Sequence, residues 1–529
     1  RENLYISNIA YLSIGNGGGT GLNSTSGVGL TPQGNFDFQE IYNGNMLFEF
    51  GPNGLNIDED GEVKSSKYLR ASVNNHFWYG YLGSVTWAKD EHWTVSGGLD
   101  FRKYKGEHYR EVYDLLGGDY ALDDGNLNQR PDVKLRKGDK YAYSDEGHVL
   151  WGGSFVQTEF KNELWSTFVN VSFAQSRYKA IDYFRKKIVE VGDTSLEVGF
   201  LPVEYNGTTY DQNSPGIHHY ETEWVVLNGF TIKGGANYNI NERLNGFVNL
   251  GYLSKAPLFS NVIDISNNVQ DDYKNEVING YEAGLSYAES RFAANLNGYH
   301  TTWNNRPVNR TVQQSNPLGE EDEVVVRVTD MDARHMGVEF DFAYKATSKV
   351  TVEGLFSFGD WIWTSTEEGE LVYSDSNEAV VNPETGEPYI ISFDPSGVHV
   401  GNAAQTQFGA SLRYEPIKQA YLKLRLTYFS RQFAEFSPES LVGNNAGTEV
   451  WQTPGYTLID VHAGYWLKFK GQNLNIRATV FNLLDAVYVS DAQNNDTFIA
   501  HTESANVAGS SSIFVGPSRR FNLSLSITI

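Results

Sequence analysis

Three short stretches group side chains that could hold an ion or a ligand. In "NIDEDGEV", Asn56, Asp58 and Asp60 stand at alternate positions ahead of Gly61. Oxygens at every second residue before a glycine turn resemble the first half of a calcium loop, which wraps a hard cation. The acid needed six residues beyond that glycine is missing, because Lys67 stands there. A solvated acidic loop is the competing reading. His218 and His219 in "GIHHYE" are adjacent, and neighbouring side chains of an extended chain point apart, which is poor geometry for one metal. The run "GNGGGTG" at 15–21 has no following Lys-Ser or Lys-Thr and no strand–helix setting, so it does not predict a phosphate cradle. No Ser/His/Asp or paired-carboxylate arrangement stands out among 65 acidic residues and 11 histidines. The sequence therefore predicts no enzyme, no catalytic residue, no metal site and no cofactor.

A second kind of chemistry is ligand capture. Several aromatic residues fall toward strand ends with a parity set by polar neighbours. If Asn295 and Asn297 face a watery interior, then Tyr299 and Trp303 face it too. The same reasoning places Trp361, Trp363 and Arg431 near the mouth of that interior. Aromatic rings with a few polar groups make binding sites, so these five are the candidate ligand-binding residues. The structural alternative is an interfacial girdle, or packing against whatever fills the interior.

Those residues need elements to hold them, and the sequence supplies strands. In "ELWSTFVNVSF", Trp165, Thr167, Val169, Val171 and Phe173 share one face. "LKLRLTYF" sets Leu422, Leu424, Leu426 and Tyr428 against Lys423, Arg425 and Thr427. "NLNIRATVF" places Leu474, Ile476, Ala478 and Val480 against Asn473, Asn475, Arg477 and Thr479. Such period-two alternation reads as strand. Charged Lys423 and Arg425 would burden a sandwich core but suit a water-filled lumen. Tight links at 88–91, 160–162, 239–243, 288–290, 346–349, 415–419 and 468–472 alternate with long polar stretches at 15–73, 105–147, 186–222, 255–276, 304–330, 364–403, 432–455 and 485–511. Short turns on one side and long loops on the other are the pattern of an outer-membrane barrel. The expectation is an all-β, transmembrane antiparallel β-barrel across 1–529. It has about sixteen strands, each near the roughly ten residues a tilted span needs. Trp87 and Trp93, flanking the turn at Asp90, suit an aromatic girdle. The closing alternation "RRFNLSLSITI" fits a strand set in a barrel wall.

Composition is compatible with this and excludes other classes. Aromatics reach 14%, with 52 glycines and no cysteine, and the mean hydropathy is −0.42. No apolar run approaches the roughly 18 residues of a spanning helix. A net charge of −24 argues against a nucleic-acid partner, since neutralising phosphates needs a basic surface. Acidic runs such as Glu320–Glu323 favour cationic or metal-chelated ligands over polyanions, or else bridge divalent cations at a lipopolysaccharide surface.

The blocks "GLDFRKYKGEHYREVYDLLGGDY", "GGANYNINERLNGFVNLGYLSKAPLF", "GYEAGLSYAESRFAANLNGYHTTWNN", "HMGVEFDFAYKATSKVTVEGLFSFGDW" and "ATVFNLLDAVYVSDA", taken in order, resemble the barrel of TonB-dependent outer-membrane receptors. The flavour is that of the Bacteroidetes type with a carboxypeptidase-like regulatory N-terminus. The resemblance implies a 22-stranded barrel with a plug, and active uptake of a scarce nutrient: siderophore, cobalamin, peptide or glycan. It implies TonB as partner through an N-terminal region that is not in this chain, with long loops extracellular and the C-terminus periplasmic. Outer-membrane lipid and lipopolysaccharide, a small nutrient ligand and a surface lipoprotein are the other partners it suggests. On this reading 1–529 is the C-terminal portion of the barrel. The alternatives are a passive sixteen-stranded porin and a structural or adhesive surface barrel.

Overall fold

The computed structural model of the chain describes residues 3–46, 57–271, 273–315, 321–373, 380–381, 387–469, 472–494 and 511–528. Among these residues, sixteen strands run as an antiparallel meander. The first eight are β1 Leu4–Leu22, β2 Leu69–Ala88, β3 Trp93–Asp114, β4 Lys140–Lys161, β5 Trp165–Asp182, β6 Val225–Asn239, β7 Leu244–Lys255 and β8 Glu276–Ala288. The second eight are β9 Phe292–Ser315, β10 Glu321–Lys345, β11 Val350–Trp363, β12 Thr406–Ile417, β13 Ala420–Ser430, β14 Tyr456–Phe469, β15 Gln472–Phe481 and β16 Arg520–Thr528. Each pairs with its sequence neighbour, and short strands at Tyr220–Glu221, Glu367–Tyr373 and Ile390–Phe393 complete a 19-stranded sheet. Among the described residues no pairing joins β16 to β1, so the sheet is open.

Alternation decides which way each strand faces. Across the register, Leu412, Leu424, Val461, Val480 and Phe521 stand side by side on one face. Leu426 and Ile476 share that face, while Arg425 and Arg477 lie on the other beside Asp460 and Gly464. The polar face is stitched by charge: Arg425 reaches Asp460 at 2.5 Å and Lys423 reaches Glu353 at 2.6 Å. A row of large exposed rings follows one rim of the apolar face, comprising Trp87, Trp93, Trp165, Tyr238, Tyr344, Tyr414 and Tyr465. Trp93 packs on Phe160 at 5.0 Å and Trp165 on Tyr238 at 4.5 Å between ring centroids.

That rim is also where the tight links lie. They connect β2–β3, β4–β5, β6–β7, β8–β9, β10–β11, β12–β13 and β14–β15, and every second connection of a meander falls on one side. Four of them share one device, a side-chain oxygen that accepts two backbone N–H groups. Asp90 takes His92 and Trp93, Asn162 takes Leu164 and Trp165, Asn241 takes Arg243 and Leu244, and Thr347 takes Lys349 and Val350. Short polar side chains that satisfy local backbone donors favour such turns.

Two expectations about length need correction. The strands are not all near ten residues: β3 and β4 have 22 each and β10 has 25. They run on past the aromatic row and rise toward the long-loop rim. Residues 304–315 and 321–330 are accordingly no irregular loop but the zippered end of β9 and β10, paired to Ser315↔Glu321. Val324, Val325, Val326 and Val328 give it strong strand preference, and Glu367–Tyr373 adds a third strand against Val324–Arg327. The glycines at 15–21 likewise continue β1, where a Cβ on Gly18 would meet the Ser72 carbonyl oxygen at 2.6 Å. The buried apolar clusters gather at this rim; one joins Val326, Met331, Trp363, Leu371, Phe393 and Phe436.

Candidate functional site

The five residues singled out from sequence divide into two groups. On the polar face, register places Tyr299 beside Gly337, Thr301 beside His335, and His335 beside Trp361. Trp361 Nε1 donates to Tyr299 Oη at 2.9 Å. His335 lies between the Trp303 ring at 6.2 Å and the Trp361 ring at 5.6 Å. Trp363 is buried at 4% exposure and packs edge-on against Phe436. The Arg306 guanidinium lies 5.4 Å from the Trp303 ring and 5.7 Å from that of Trp363. Four predicted aromatics thus form one continuous patch, with His335 and Arg306 as members that the sequence reading did not name.

Arg431 departs from its expected position. Its φ of 52° breaks the strand alternation just past β13, so parity cannot be carried through it. The guanidinium sits 4.7 Å over Phe358 and 3.6 Å from Asp360, and donates to the Gly359 carbonyl at 2.8 Å. Phe358 and Asp360 share the face of Val338 and Met336. Arg431 is therefore placed on the apolar-face side, not on the polar interior with the four aromatics.

The acidic loop is occupied by the protein itself. Asn56 lies outside the described residues. Asp58, Asp60 and Glu62 bring their oxygens within 4.8 Å of one another. The Lys134 ammonium stands among them, 2.6 Å from Asp58, 2.6 Å from Asp60 and 2.7 Å from Glu62. Its hydrogen bond, with backbone donation from Glu62, holds the Asp58 carboxyl far below the usual carboxylate range. A lysine thus does here what a cation would do, and ties two loops together. His218 and His219 do not converge. His218 Nδ1 lies 2.8 Å from the His219 carbonyl oxygen, while the His219 ring packs on Tyr183.

A cavity that sequence reasoning missed lies at the long-loop end of the polar face. Its volume is about 1010 Å³. Asn74, His108 and Asp145 form one wall, because register sets them on a single rung of β2, β3 and β4. Residues 256–271 and 273–275, between β7 and β8, form a strap across it. The strap is anchored at one side by Tyr178 Oη donating to the Pro257 carbonyl at 2.9 Å and by Asn267 Nδ2 donating to Asp182 at 2.9 Å. At the other side Lys274 pairs with Asp330 at 2.7 Å, and Arg327 donates to Gln270. Phe259 and Ile263 of the strap project into the space alongside Tyr143. The signal for this site was present as alternation through His108 and Arg110, but which loop crosses above them is not written in local spacing.

No curated protein matches the chain. Among solved structures, the ferric-catecholate import receptor Fiu from K12 E. coli, in its closed form, superposes with a TM-score of 0.53 at 14% identity, covering 99% of this chain and 61% of that one. The copper transporter OprC gives 0.53 at 14% identity over 86% and 57% of the two chains. The ferric citrate transporter FecA gives 0.50 at 14% identity over 88% and 56%. At these identities the likeness shows the fold, and the chain spans about three-fifths of the length of these structures. Residues 5–483 match the family described as "TonB dependent receptor-like, beta-barrel"; the chain belongs to that family.

Proposed function

We propose that this chain forms wall, mouth and binding surface of an outer-membrane receptor that takes up a scarce small molecule by active transport driven through TonB. The single observation that carries the reading is a sheet with one lipid-compatible face, rimmed by aromatics, and one polar face that holds a strapped cavity. A passive pore needs an open path, whereas a strap anchored on both sides of a cavity serves capture. Family membership supports the same reading. The structural neighbours are a ferric-catecholate import receptor, a copper transporter and a ferric citrate transporter, and they support a small-molecule cargo. The long loops then face the exterior and the C-terminus the periplasm. TonB engages through a region outside this chain, and lipopolysaccharide or a surface lipoprotein meets the outer rim.

The sixteen strands keep one rival in play, a closed porin, because sixteen is a complete even barrel. The experiment separating the two is growth and labelled uptake in a deletion strain supplied with defined iron, cobalamin or glycan sources. Receptor function predicts loss of uptake of one source and the same loss when a protonophore collapses the inner-membrane gradient. Uptake that is indifferent to the protonophore would establish the porin.

A further inference from the structure

The whole chain is acidic, yet the cavity under the strap, which carries Asp145 and Asp264 in its lining, also gathers basic residues. Four basic residues line it: His108, Arg110, Lys274 and Arg327. Two of them are spoken for, Lys274 by Asp330 and Arg327 by Glu370. His108 is held by Asn74, whose Oδ1 lies 2.6 Å from its Nδ1. Arg110 differs. Among the described residues no carboxylate lies within ion-pair distance of it, and its Nε is buried with no acceptor. Its guanidinium is instead flanked by rings, 5.8 Å from Tyr141 and 5.3 Å from Tyr143. Stacked rings fix a guanidinium plane without neutralising it, so donors remain to be shared with whatever enters. The Nε is sealed from the cavity, so an entering ligand meets the terminal nitrogens, and an oxyanion is the partner that they bind most strongly, through paired charge-assisted bonds.

The remaining walls describe the rest of the ligand. Phe259, Ile263 and Tyr143 offer an apolar and aromatic surface, while Asn74, Asn261 and Asp145 accept or exchange hydrogen bonds. At about 1010 Å³ the space lies at the upper end of small-molecule pockets. We propose that this cavity binds an oxyanion-bearing organic molecule, with Arg110 as its anion-recognising residue and Phe259 and Tyr143 against its apolar body. The inference rests on the uptake reading for the ligand's onward fate; binding itself is separate. The global charge then acts as a filter against bulk polyanions, and the local arginine selects a compact anion.

The test uses the complete receptor in nanodiscs of zwitterionic lipid, with empty nanodiscs subtracted. Two dyes of similar size serve as probes, anionic fluorescein and cationic rhodamine 123, measured by equilibrium dialysis. Fluorescein is expected to be retained about tenfold more strongly than rhodamine 123. Arg110→Gln is expected to lower fluorescein retention by about tenfold, and Arg110→Lys by less. Competition in the unaltered protein needs no variant to fold. Benzoate, phenyl phosphate or both should displace fluorescein, which tells carboxylate from phosphate, and neutral benzamide should not. Equal retention of the two dyes, unchanged binding in Arg110→Gln, or displacement by benzamide as good as by the anions would overturn the proposal. Retained anion binding with no energised uptake would leave this site standing and count against the uptake reading instead.

Discussion

Single side chains at the long-loop rim set how that rim responds to pH and to cations. Burial pushes the Glu367 carboxyl up to about 7, helped by Asp330, with which it shares a hydrogen bond, and by Asp332; Ser365 opposes the shift. A folded-state pKa above the unfolded value of 4.5 means that the contact contributes fully below about 4.5 and is lost as pH rises through about 7. Hydrogen exchange in Glu367–Tyr373, corrected for intrinsic rates, should therefore lose protection between pH 5 and pH 8. Glu367→Gln should flatten that profile; an equally steep profile in the variant would refute the assignment. The Lys134 clasp makes a second prediction. Removing the ammonium in Lys134→Ala leaves Asp58, Asp60 and Glu62 facing one another, and Tyr120, 4.9 Å from Lys134 Nζ, is placed to sensitise a lanthanide. Tyrosine-sensitised terbium emission should appear in the variant and be absent from the parent protein. Parity made Tyr299, Trp303 and Trp361 legible from sequence, because each lies inside an unbroken strand. Arg431 was illegible for the complementary reason: a single left-handed residue resets the alternation, and nothing in "YFSRQF" announces it.

At the level of strands and turns, most of the architecture could be read beforehand. Alternation in "LKLRLTYF" and "NLNIRATVF" set the faces of β13 and β15, and the Asp90, Asn162, Asn241 and Thr347 turns fall where short polar links predict them. Strand length was not legible. Periodicity sees the apolar band that lipid demands, but beyond it a strand continues only if a neighbour pairs with it, and pairing is a tertiary fact. The strap over the cavity has the same status, since its anchors Asp182, Asp330 and Arg327 are distant in sequence. A lipid-exposed position gives the sharpest test of the faces. Leu424 stands between Leu412 and Val461 on the apolar face. Leu424→Arg should destabilise the folded barrel by about 2–4 kcal/mol near the bilayer midplane, measured by equilibrium unfolding from lipid vesicles. Thr427→Lys, on the polar face beside Gly409 and Leu458, should stay within about 0.5 kcal/mol. Reversed magnitudes would exchange the two faces.

For the molecule as a whole, the decisive feature is the pair of free edges. β1 presents 19 residues and β16 presents 9, and each is hydrogen-bonded on one side alone among the described residues. In hydrocarbon an unsatisfied backbone group costs several kcal/mol, so edges of this length cannot face lipid. Either they meet each other, giving a ring of sixteen, or further strands stand between them, as a wider receptor barrel requires. The apolar faces of both are ready for the wall: Ile6, Leu12 and Ile14 of β1 and Phe521, Leu523, Leu525 and Ile527 of β16 are all exposed. Paired cysteines distinguish the two closures. With Ile6→Cys or Leu12→Cys in β1 and Leu525→Cys in β16, a sixteen-stranded ring would bring some combination close enough for a disulfide, whose Cα atoms must come within about 7 Å. The receptor reading expects no oxidative cross-link between β1 and β16 for any such pair in native outer membranes. It expects the control pair Ile476→Cys and Leu525→Cys, partners in the register of β15 and β16, to cross-link readily. It also expects the 1–529 polypeptide by itself to refold without the heat-modifiable mobility of a closed barrel. A β1–β16 cross-link in native membranes, or a heat-resistant barrel from 1–529, would establish the sixteen-stranded pore.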